Sequence, residues 1–425
     1  MVEKRYKWVE GDGANLPEHS KRKHKILREY FFDYLTVRCQ VPQQTRFRLA
    51  IVDGFSGGGR YRCGTSGSPL IFIEELKRAT QHVNINRTEK GLDPIEIECL
   101  LIFNDAEKAV VELLKTHVAP LEANIKETCP KLHLRIIYLN KFFEDAYPTI
   151  KQMLGQGRYR NVIFNLDQCG HIHVKRSTIT DIMHSYAAPE IFYTFMISSL
   201  LAFLQKNNHE VLRKQLEHLN ITDGDINALS DKMNQRQWLG TAEKIVFDAF
   251  RYCAPYVSPF SIHNPDGWWY WMLHFSNTYR ARQVYNNILH DNASLQAHFG
   301  RSGLNMLSYD PRHENGTLYL FDNKGRASAK EELLGDIPRL VTDVGDAMSM
   351  TEFYKNIYNN TPAHADDVHA AIIENPDLEV ITPTGGERQK ANTITVHDII
   401  KIKNQRSFFP YFLEAENNLM FKNKK

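Results

Sequence analysis

Residues 49–61 carry the pattern that most restricts how this chain can fold. Their sequence, LAIVDGFSGGGRY, is an apolar β-type run that ends in an acidic residue, Asp53, and continues into a turn of small residues. Glycine has no Cβ, so Gly57 and Gly59 let the backbone pass close to a ligand, and free backbone N–H groups in such a turn can bind an anionic group. A serine-proline pair at 68–69 is typical of a helix start, with the serine as cap. The pattern predicts a strand, a ligand-binding turn and a helix.

Short β-type runs alternate with helical stretches through most of the chain. The predicted strands are residues 47–52, 95–103, 132–139, 162–166, 191–197, 268–275 and 317–321. The predicted helices are residues 20–38, 68–78, 107–115, 144–153, 178–186 and 281–289. Strands that alternate with helices are joined by crossovers and form parallel sheets covered on both faces. The predicted fold class is α/β, with a doubly wound, seven-stranded, mainly parallel sheet of Rossmann-like type.

The composition is that of a globular protein. The chain has 425 residues, of which 42% are hydrophobic and 24% charged, and its formal charge is +2. This balance excludes disordered and fibrous classes, and it neither requires nor excludes a polyanionic partner. We expect a soluble, cytoplasmic protein, because no stretch has the ~20 apolar residues of a membrane helix and the start lacks a signal-peptide core. Six widely spaced cysteines predict reduced thiols and no metal site.

The chain divides into three predicted parts. They are an N-terminal basic segment with an amphipathic helix at 1–45, a main domain at 46–335 with a polar helical insertion at about 201–262, and a small module with a tail at 340–425. The module is predicted to be a winged helix, from helices at 350–358 and 363–374 and a hairpin of 378–382 with 393–396. Its second helix is acidic, and only Arg388 and Lys390 near the wing favour nucleic acid, so a protein partner is an equal alternative.

Polar side chains follow the next strands in the order that a nucleoside site needs. Asp105 ends the second strand, where a carboxylate can accept both ribose hydroxyls or can cap the next helix. Asn140 ends the third strand, where its amide could contact adenine or form a turn. The fourth strand leads into residues 167–170, which face the glycine turn across the point where strand order reverses. The candidates for the substrate side of the site, which we call the acceptor side, are Asp167, Gln168, Cys169 and Gly170.

Three features have competing interpretations. Cys169 could act as a thiolate nucleophile, although a cysteine in such a place more often packs as a small hydrophobe. His171 and His173 point the same way if the segment is extended, but no further metal ligands lie nearby in sequence. The aromatic run at 268–271 could stack on an exposed base, and a core strand explains it better.

Together these motifs resemble the bacterial and archaeal three-Cys-motif partner protein family. The resemblance lies in KHKIL at 23–27 with Tyr30, in VDGFSGGGRY at 52–61 and in GSPL at 67–70. It implies a class I methyltransferase-like fold that binds S-adenosyl-L-methionine (SAM), a C-terminal winged helix, and association with a three-cysteine, radical-SAM-like protein. The turn looks like motif I of SAM methyltransferases, with Phe55 at the usual first glycine, and it is neither a dinucleotide fingerprint nor a Walker loop.

The resulting cofactor-site candidates are His24, Asp53, Gly54, Phe55, Ser56, Gly57, Gly59, Asp105 and Asn140. A weaker similarity is to large-subunit ribosomal RNA adenine N-methyltransferases, which have Asp-Pro-Pro-Tyr after the fourth strand, where this chain keeps Asp167 and lacks the prolines. The expected function is methyl transfer to an RNA or DNA base. The alternatives are a non-catalytic SAM-binding scaffold for a three-cysteine protein and a winged-helix nucleic-acid-binding regulator.

Overall fold

The computed structural model describes residues 6–9, 13–205, 208–229, 233–258, 260–263, 269–292, 296–299, 318–319 and 321–403. In this part of the chain, ten strands form one sheet. They are β1 (Arg46–Asp53), β2 (Glu96–Asn104), β3 (Leu132–Leu139), β4 (Asn161–Leu166), β5 (Ala188–Phe195), β6 (Tyr256–Ser258), β7 (Phe260–His263), β8 (Trp269–Ser276), β9 (Gln296–Phe299) and β10 (Leu318–Tyr319).

The centre of the sheet is a mostly parallel set of seven strands. Their order is β3-β2-β1-β4-β5-β8-β7, and the edge continues through β9 and β10, while β6 pairs with β8. The first five strands are parallel to one another, and β8 runs antiparallel to both β5 and β7. With its surrounding helices, this is a mixed α/β fold compatible with a Rossmann-like arrangement, as predicted.

Helices lie on both faces of the sheet. They are α1 (Glu18–Arg38), α2 (Ser68–Glu89), α3 (Lys108–Thr128), α4 (Phe143–Gln156), α5 (Arg176–Ser185), α6 (Ile197–Phe203), α7 (His209–Leu216), α8 (Asp223–Ala228), α9 (Gln235–Arg251) and α10 (Tyr279–Asp291). Alternate residues of β1 enter different cores: Leu49 and Ile51 pack with α1 and α2, whereas Ala50 and Val52 pack with α4. This two-sided burial explains why the strand is apolar without interruption. Within the described ranges, no helix has the length and apolar character needed to cross a bilayer.

Helix α1 is fixed against the sheet by a buried polar contact. The Tyr30 hydroxyl donates to Glu190 Oε2 at 2.5 Å, and His274 Nε2 lies 3.2 Å from the same oxygen. Tyr30 is 1% exposed and belongs to the apolar stripe that predicted an amphipathic helix. This contact sets the position of the preceding turns of α1, which reach the site described below.

The remaining elements form a second, smaller unit. They are α11 (Asn323–Asp343), β11 (Ala347–Ser349), α12 (Met350–Ile357), α13 (Ala365–Glu374), β12 (Leu378–Ile381) and β13 (Ile399–Ile402). The three strands form an antiparallel sheet in the order β11-β13-β12. The two predicted helices are confirmed, but the predicted boundary near 335–340 falls inside α11, whose Leu333, Ile337 and Val341 are buried in the core of this unit.

Several sequence predictions require correction. The stretch at 201–262 is helical only to Arg251, because its last residues pair as β6 and β7 with the buried strand β8. The second hairpin strand was predicted at 393–396 but lies at Ile399–Ile402, since residues 391–393 form a short 3₁₀ turn. Gly67, not Ser68, is the N-cap of α2. Trp268 and residues 317 and 320 of the predicted last strand lie outside the described residues.

Candidate functional site

The carboxyl ends of β1, β2 and β4 meet at a cavity of about 140 Å³. The predicted site residues that line it are His24, Phe55, Ser56, Gly57, Asp105, Asp167 and Cys169. The predicted residues that do not line it are Asp53, Gly54, Gly59, Asn140, Gln168 and Gly170. The structure therefore brings seven of these residues to one cavity and leaves the other six outside its lining.

The glycine turn has the backbone conformation that favours glycine. Gly57 and Gly59 have φ angles of 61° and 86°, in the left-handed region. The Gly57 N–H is not free, as it donates to Asp105 Oδ2 at 3.1 Å. A Cβ on Gly59 would lie 2.7 Å from Leu114 Cδ1, and one on Gly54 would lie 2.7 Å from Phe143 Cδ2. Gly54 and Gly59 therefore allow close packing of neighbouring side chains, and Gly57 faces the cavity.

Asp53 is a fully buried carboxyl beneath this turn. It is 0% exposed, and Asn165 Nδ2 donates to its Oδ1 at 3.2 Å. Burial raises the pKa of Asp53 to about 7, although hydrogen bonds from Ser68 and Asn165 oppose that shift. Asp53 therefore acts on the site through the turn above it.

Asp105 and Asn140 stabilise the segment after β2. Asp105 accepts from the Gly57 N–H and, at 3.0 Å, from the Glu107 N–H just before α3. The Asn140 amide donates to the carbonyl oxygens of Asp105 and Ala106 at 3.0 and 2.9 Å. Asp105 lines the cavity, whereas Asn140 does not and instead holds the backbone next to it. The predicted contact of Asn140 with adenine therefore stays a prediction.

On the acceptor side, Asp167 forms an ion pair that the sequence did not indicate. Lys23 Nζ, from α1, lies 2.5 Å from Asp167 Oδ1, and the Lys23 side chain is only 7% exposed. Burial favours the neutral carboxyl, but the Lys23 ammonium, together with a hydrogen bond from Thr194 and the nearby His24, outweighs that effect and holds the pKa of Asp167 below its ordinary value. Asp167 is therefore an ionised hydrogen-bond acceptor at neutral pH.

The residues after Asp167 have different roles in the loop. Gln168 is 3% exposed, and its side chain donates to the Tyr193 hydroxyl at 2.6 Å and accepts from the His173 N–H at 2.9 Å. Gly170 has a φ of 108°, and its carbonyl accepts from the Met196 N–H. Both residues thus fix the loop, and Asp167 and Cys169 are the members that reach the cavity.

Of the nearby histidines, His24 is neutral, and His171 and His173 line different cavities. Burial, assisted by the charge of Lys23, lowers the pKa of His24 to about 4, so His24 cannot bind a phosphate as a cation at neutral pH. His173 lines the cavity beside Phe55, whereas His171 packs against Phe195 and His218 in a second cavity. The expectation that both rings of 171 and 173 point the same way is wrong, because residues 171–174 are bent and not extended. No cluster of three metal-ligating side chains occurs among the described residues.

Four aromatic residues of the cavity wall were missed by the sequence reasoning. They are Tyr6, Trp8, Tyr61 and Phe142, with ring centroids of Trp8 and Tyr61 4.8 Å apart. Residues 6–9 precede the first helix and show no periodic pattern, so no local signal places them in the site. Phe55 does not fill the turn, as its ring packs against Phe143 and His173.

The side chains that line the cavity give it a net negative charge, even though Lys23, outside the lining, neutralises Asp167. Three carboxylates, Asp105, Glu107 and Asp167, line it together with the aromatic rings, and its described lining includes no lysine or arginine. A wall of this kind repels phosphates and suits a ligand that carries positive charge on a flat organic group.

The second cavity has a volume of about 630 Å³ and lies on the other side of the same loop. Its wall includes His171 and Lys175 from that loop, and Lys214 from α7. Ile172 and Phe203, which also line it, are 58% and 45% exposed. The cavity is an open groove whose wall combines these basic and apolar side chains with the acidic Glu217.

Most of the basic residues at the start of α1 are engaged within the protein. Arg28 pairs with Glu74 and Glu75, and Lys23 pairs with Asp167. In the smaller unit, Arg388 forms a two-pronged contact with Asp398 at 3.0 and 3.1 Å. These cations are therefore less available to phosphates than their sequence clusters indicate.

Trp271 is 0% exposed, which confirms the core interpretation for that residue of the aromatic run.

A comparison with models of known protein families gives no match to this chain, and neither does a comparison with curated proteins. The function must accordingly be argued from the site.

Proposed function

We propose that this chain binds SAM in the cavity above the glycine turn and transfers its methyl group to a base of a nucleic acid. The observation that carries the proposal is the wall of that cavity: aromatic rings and three carboxylates, without lysine or arginine in its described lining. SAM is a nucleoside with a positively charged sulfur, and a cation over an aromatic face gains about 0.5–2 kcal/mol. Nicotinamide dinucleotides and nucleoside triphosphates carry phosphates, which this wall disfavours.

The strand order supports the same choice. In the dinucleotide-binding arrangement a sixth parallel strand continues the sheet beyond the fifth. Here the strand beside β5 is β8, which is antiparallel. A mainly parallel seven-stranded sheet with such a strand agrees with the class I methyltransferase fold that the sequence resemblance implies.

The residues present fit SAM in character. Gly57 lets a flat group lie directly on its backbone, a place that the Trp8 indole takes in this structure, and Asp105 and Glu107 can interact with the positive groups of the ligand. Bound SAM would supply an activated methyl group, whose transfer to an amine leaves a neutral thioether and releases one proton. Asp167, ionised through Lys23, can accept a hydrogen bond from that amine and then its proton.

The groove beside the loop supports a nucleic-acid acceptor. Single strands bind where basic side chains meet exposed flat or apolar ones, and Lys175, Lys214 and Phe203 provide both. The smaller unit adds the order helix, strand, helix, helix, strand, strand, which supports a winged helix. Two acidic residues of its α13 form ion pairs within the protein, Asp367 with Arg326 and Glu374 with Lys330. Their charge is therefore partly neutralised and repels a nucleic acid less than the sequence indicates.

A second candidate is a non-catalytic scaffold for a three-cysteine protein. The loop after β4 favours it, because residues 167–170 lack the prolines that follow the fourth strand in the adenine N-methyltransferases that the chain resembles. Calorimetry with SAM and transfer of tritium from methyl-labelled SAM to RNA and DNA separate the two functions. Heat of binding with label on nucleic acid is expected. Heat without label, also in the presence of a three-cysteine partner, would favour the scaffold, and no heat would reject the cofactor.

The role of the groove in nucleic-acid binding is tested by reversing the charge of its two lysines. We expect K175E/K214E to weaken binding of a single-stranded RNA about tenfold or more and to reduce the salt dependence by about two phosphate contacts. The matched control is K90E/K126E, because the last turns of α2 and α3 lie at the amino edge of the sheet. Fluorescence anisotropy at two salt concentrations measures both effects. Equal losses in the two double variants would remove the groove from the proposal.

A further inference from the structure

The Trp8 indole lies directly on the glycine turn. A Cβ on Gly57 would come within 2.5 Å of Trp8 Cζ2, and a Cβ on Gly58 within 3.0 Å of Trp8 Cε3. The two glycines therefore form a flat surface in van der Waals contact with the indole. A glycine turn of this type is the place where a ligand approaches the backbone most closely. In this structure a side chain of the protein itself takes that place.

Trp8 is held there by aromatic neighbours. Its ring centroid lies 4.8 Å from that of Tyr61 and 5.8 Å from that of Tyr6, and the Tyr6 hydroxyl forms a 2.8 Å hydrogen bond with Ser20 Oγ on α1. Residues 6–9 belong to no helix or strand of the described structure, and the adjacent Val9 is 53% exposed. The contacts that hold Trp8 are thus a small set of side-chain contacts, which can be exchanged for contacts with a ligand.

The volume of the cavity also indicates that Trp8 takes the place of a ligand. With Trp8 in place it measures about 140 Å³, less than half of the roughly 300 Å³ at which ligand pockets begin. The glycine turn cannot give way easily, because Phe143 and Leu114 pack so closely on Gly54 and Gly59 that neither position has room for a Cβ. The indole, attached to a short segment outside the secondary structure, is the part of the wall that can move without disturbing the sheet.

We propose that Trp8 is a gate: in the ligand-free protein its indole occupies the cradle above Gly57 and Gly58, and SAM binds only when the indole leaves. The inference rests on the proposed function, since it concerns access to the same cavity. The observed affinity for SAM is then the intrinsic affinity reduced by the fraction of molecules in which the gate is open. Asp105 and Asp167 are in place in the closed state, so opening is the main change that binding requires.

The affinity test compares W8A with V9A, a matched control in the same segment whose side chain points away from the cavity wall. Calorimetry with SAM on the full chain is expected to give at least about tenfold tighter binding for W8A than for the native protein, and an unchanged affinity for V9A. Melting temperatures verify that each variant is folded, and W8F, which keeps a smaller ring, is expected to lie between W8A and the native protein. Equal or weaker binding by W8A overturns the gate and leaves SAM binding intact. Absence of binding in all variants overturns both proposals.

A spectroscopic readout follows the indole itself. The chain has five tryptophans, and 5-fluorotryptophan labelling gives one fluorine resonance for each. The resonance lost in W8F identifies Trp8. Saturating SAM is expected to shift that resonance towards the position of an exposed indole and to leave buried Trp238 and Trp271 nearly unchanged. A Trp8 resonance that stays in place while SAM binds would show that the indole does not leave the cradle.

Discussion

Replacing Lys23 by methionine tests whether a buried ammonium keeps Asp167 ionised. Lys23 Nζ lies 2.5 Å from Asp167 Oδ1, and the two side chains are 7% and 26% exposed. Methionine keeps most of the length of the side chain and removes its charge. The Lys23→Met variant would therefore leave the Asp167 carboxylate in a largely buried place without its counter-charge.

The expected loss of folding stability follows from how exposed Lys23 and Asp167 are. Removing one partner of a fully buried ion pair costs about 3–5 kcal/mol, whereas an exposed pair is worth at most about 1 kcal/mol. Asp167 keeps a quarter of its exposure, so water can solvate part of the carboxylate. We expect Lys23→Met to lower the free energy of unfolding by about 2–3 kcal/mol at pH 7.

The loss should depend on pH in a defined direction. The pKa of Asp167 is lowered in the folded protein, so the pair stabilises the fold above about pH 4 and is lost as the pH falls through that lowered pKa. Without Lys23, burial is the main remaining influence and raises the pKa of Asp167. A larger fraction of the variant's carboxyl is then protonated at pH 4 than at pH 7, so the variant should be less destabilised at pH 4.

Urea denaturation at pH 7 and pH 4 measures these differences. The control is Lys21→Met, because Lys21 pairs with Glu18 on the surface of the same helix, with both side chains about half exposed, and is expected to lose less than about 0.5 kcal/mol. Adding Asp167→Asn to Lys23→Met should restore part of the stability by removing the unpaired charge. An equal loss at both pH values, or no recovery in the double variant, would refute the electrostatic account.

Two further predictions concern stability near the glycine turn. The raised pKa of Asp53, about 7, means that the folded protein holds a proton that the unfolded chain releases, so stability falls as the pH rises from about 4 to about 7. Asp53→Asn should remove about 2–3 kcal/mol of the decline between pH 5 and pH 8, and an unchanged decline in chemical denaturation would contradict the assignment. Gly54→Ala should cost about 1–3 kcal/mol, because its Cβ would lie 2.7 Å from Phe143. Gly155→Ala in α4, with open space around it, should be neutral or stabilising; similar melting temperatures for the two variants would count against the packing argument.

The main sheet was largely predictable because each of its long strands has a local signature. Strands β1 to β5 and β8 appear close to the predicted positions, and their apolar runs are long enough to separate them from helices. Strands β6, β7 and β9 have three or four residues each, and they are held by pairing, β6 and β7 with β8 and β9 with β7. So short a run has no periodicity of its own, which is why these strands were missed.

The same distinction applies to the candidate site. The glycine turn and the loop at 167–170 were found because each follows an apolar strand, and parallel strands bring their carboxyl ends to one edge. Asn140 and Gln168 were assigned to ligands, yet their side chains hold the backbone and Tyr193 instead. An amide at the end of a strand looks the same in sequence whether it contacts a ligand or a neighbouring carbonyl.

The sequence by itself determined that strands and helices alternate, that a glycine turn follows the first strand, and that acidic residues stand at the ends of the second and fourth. These features depend on residues adjacent in the chain. Only the tertiary structure decided that Lys23 neutralises Asp167, 144 positions away, and that Trp8 covers Gly57. Such contacts owe their energy to burial and to charges brought together by the folded sheet, and no pattern of neighbouring residues encodes them.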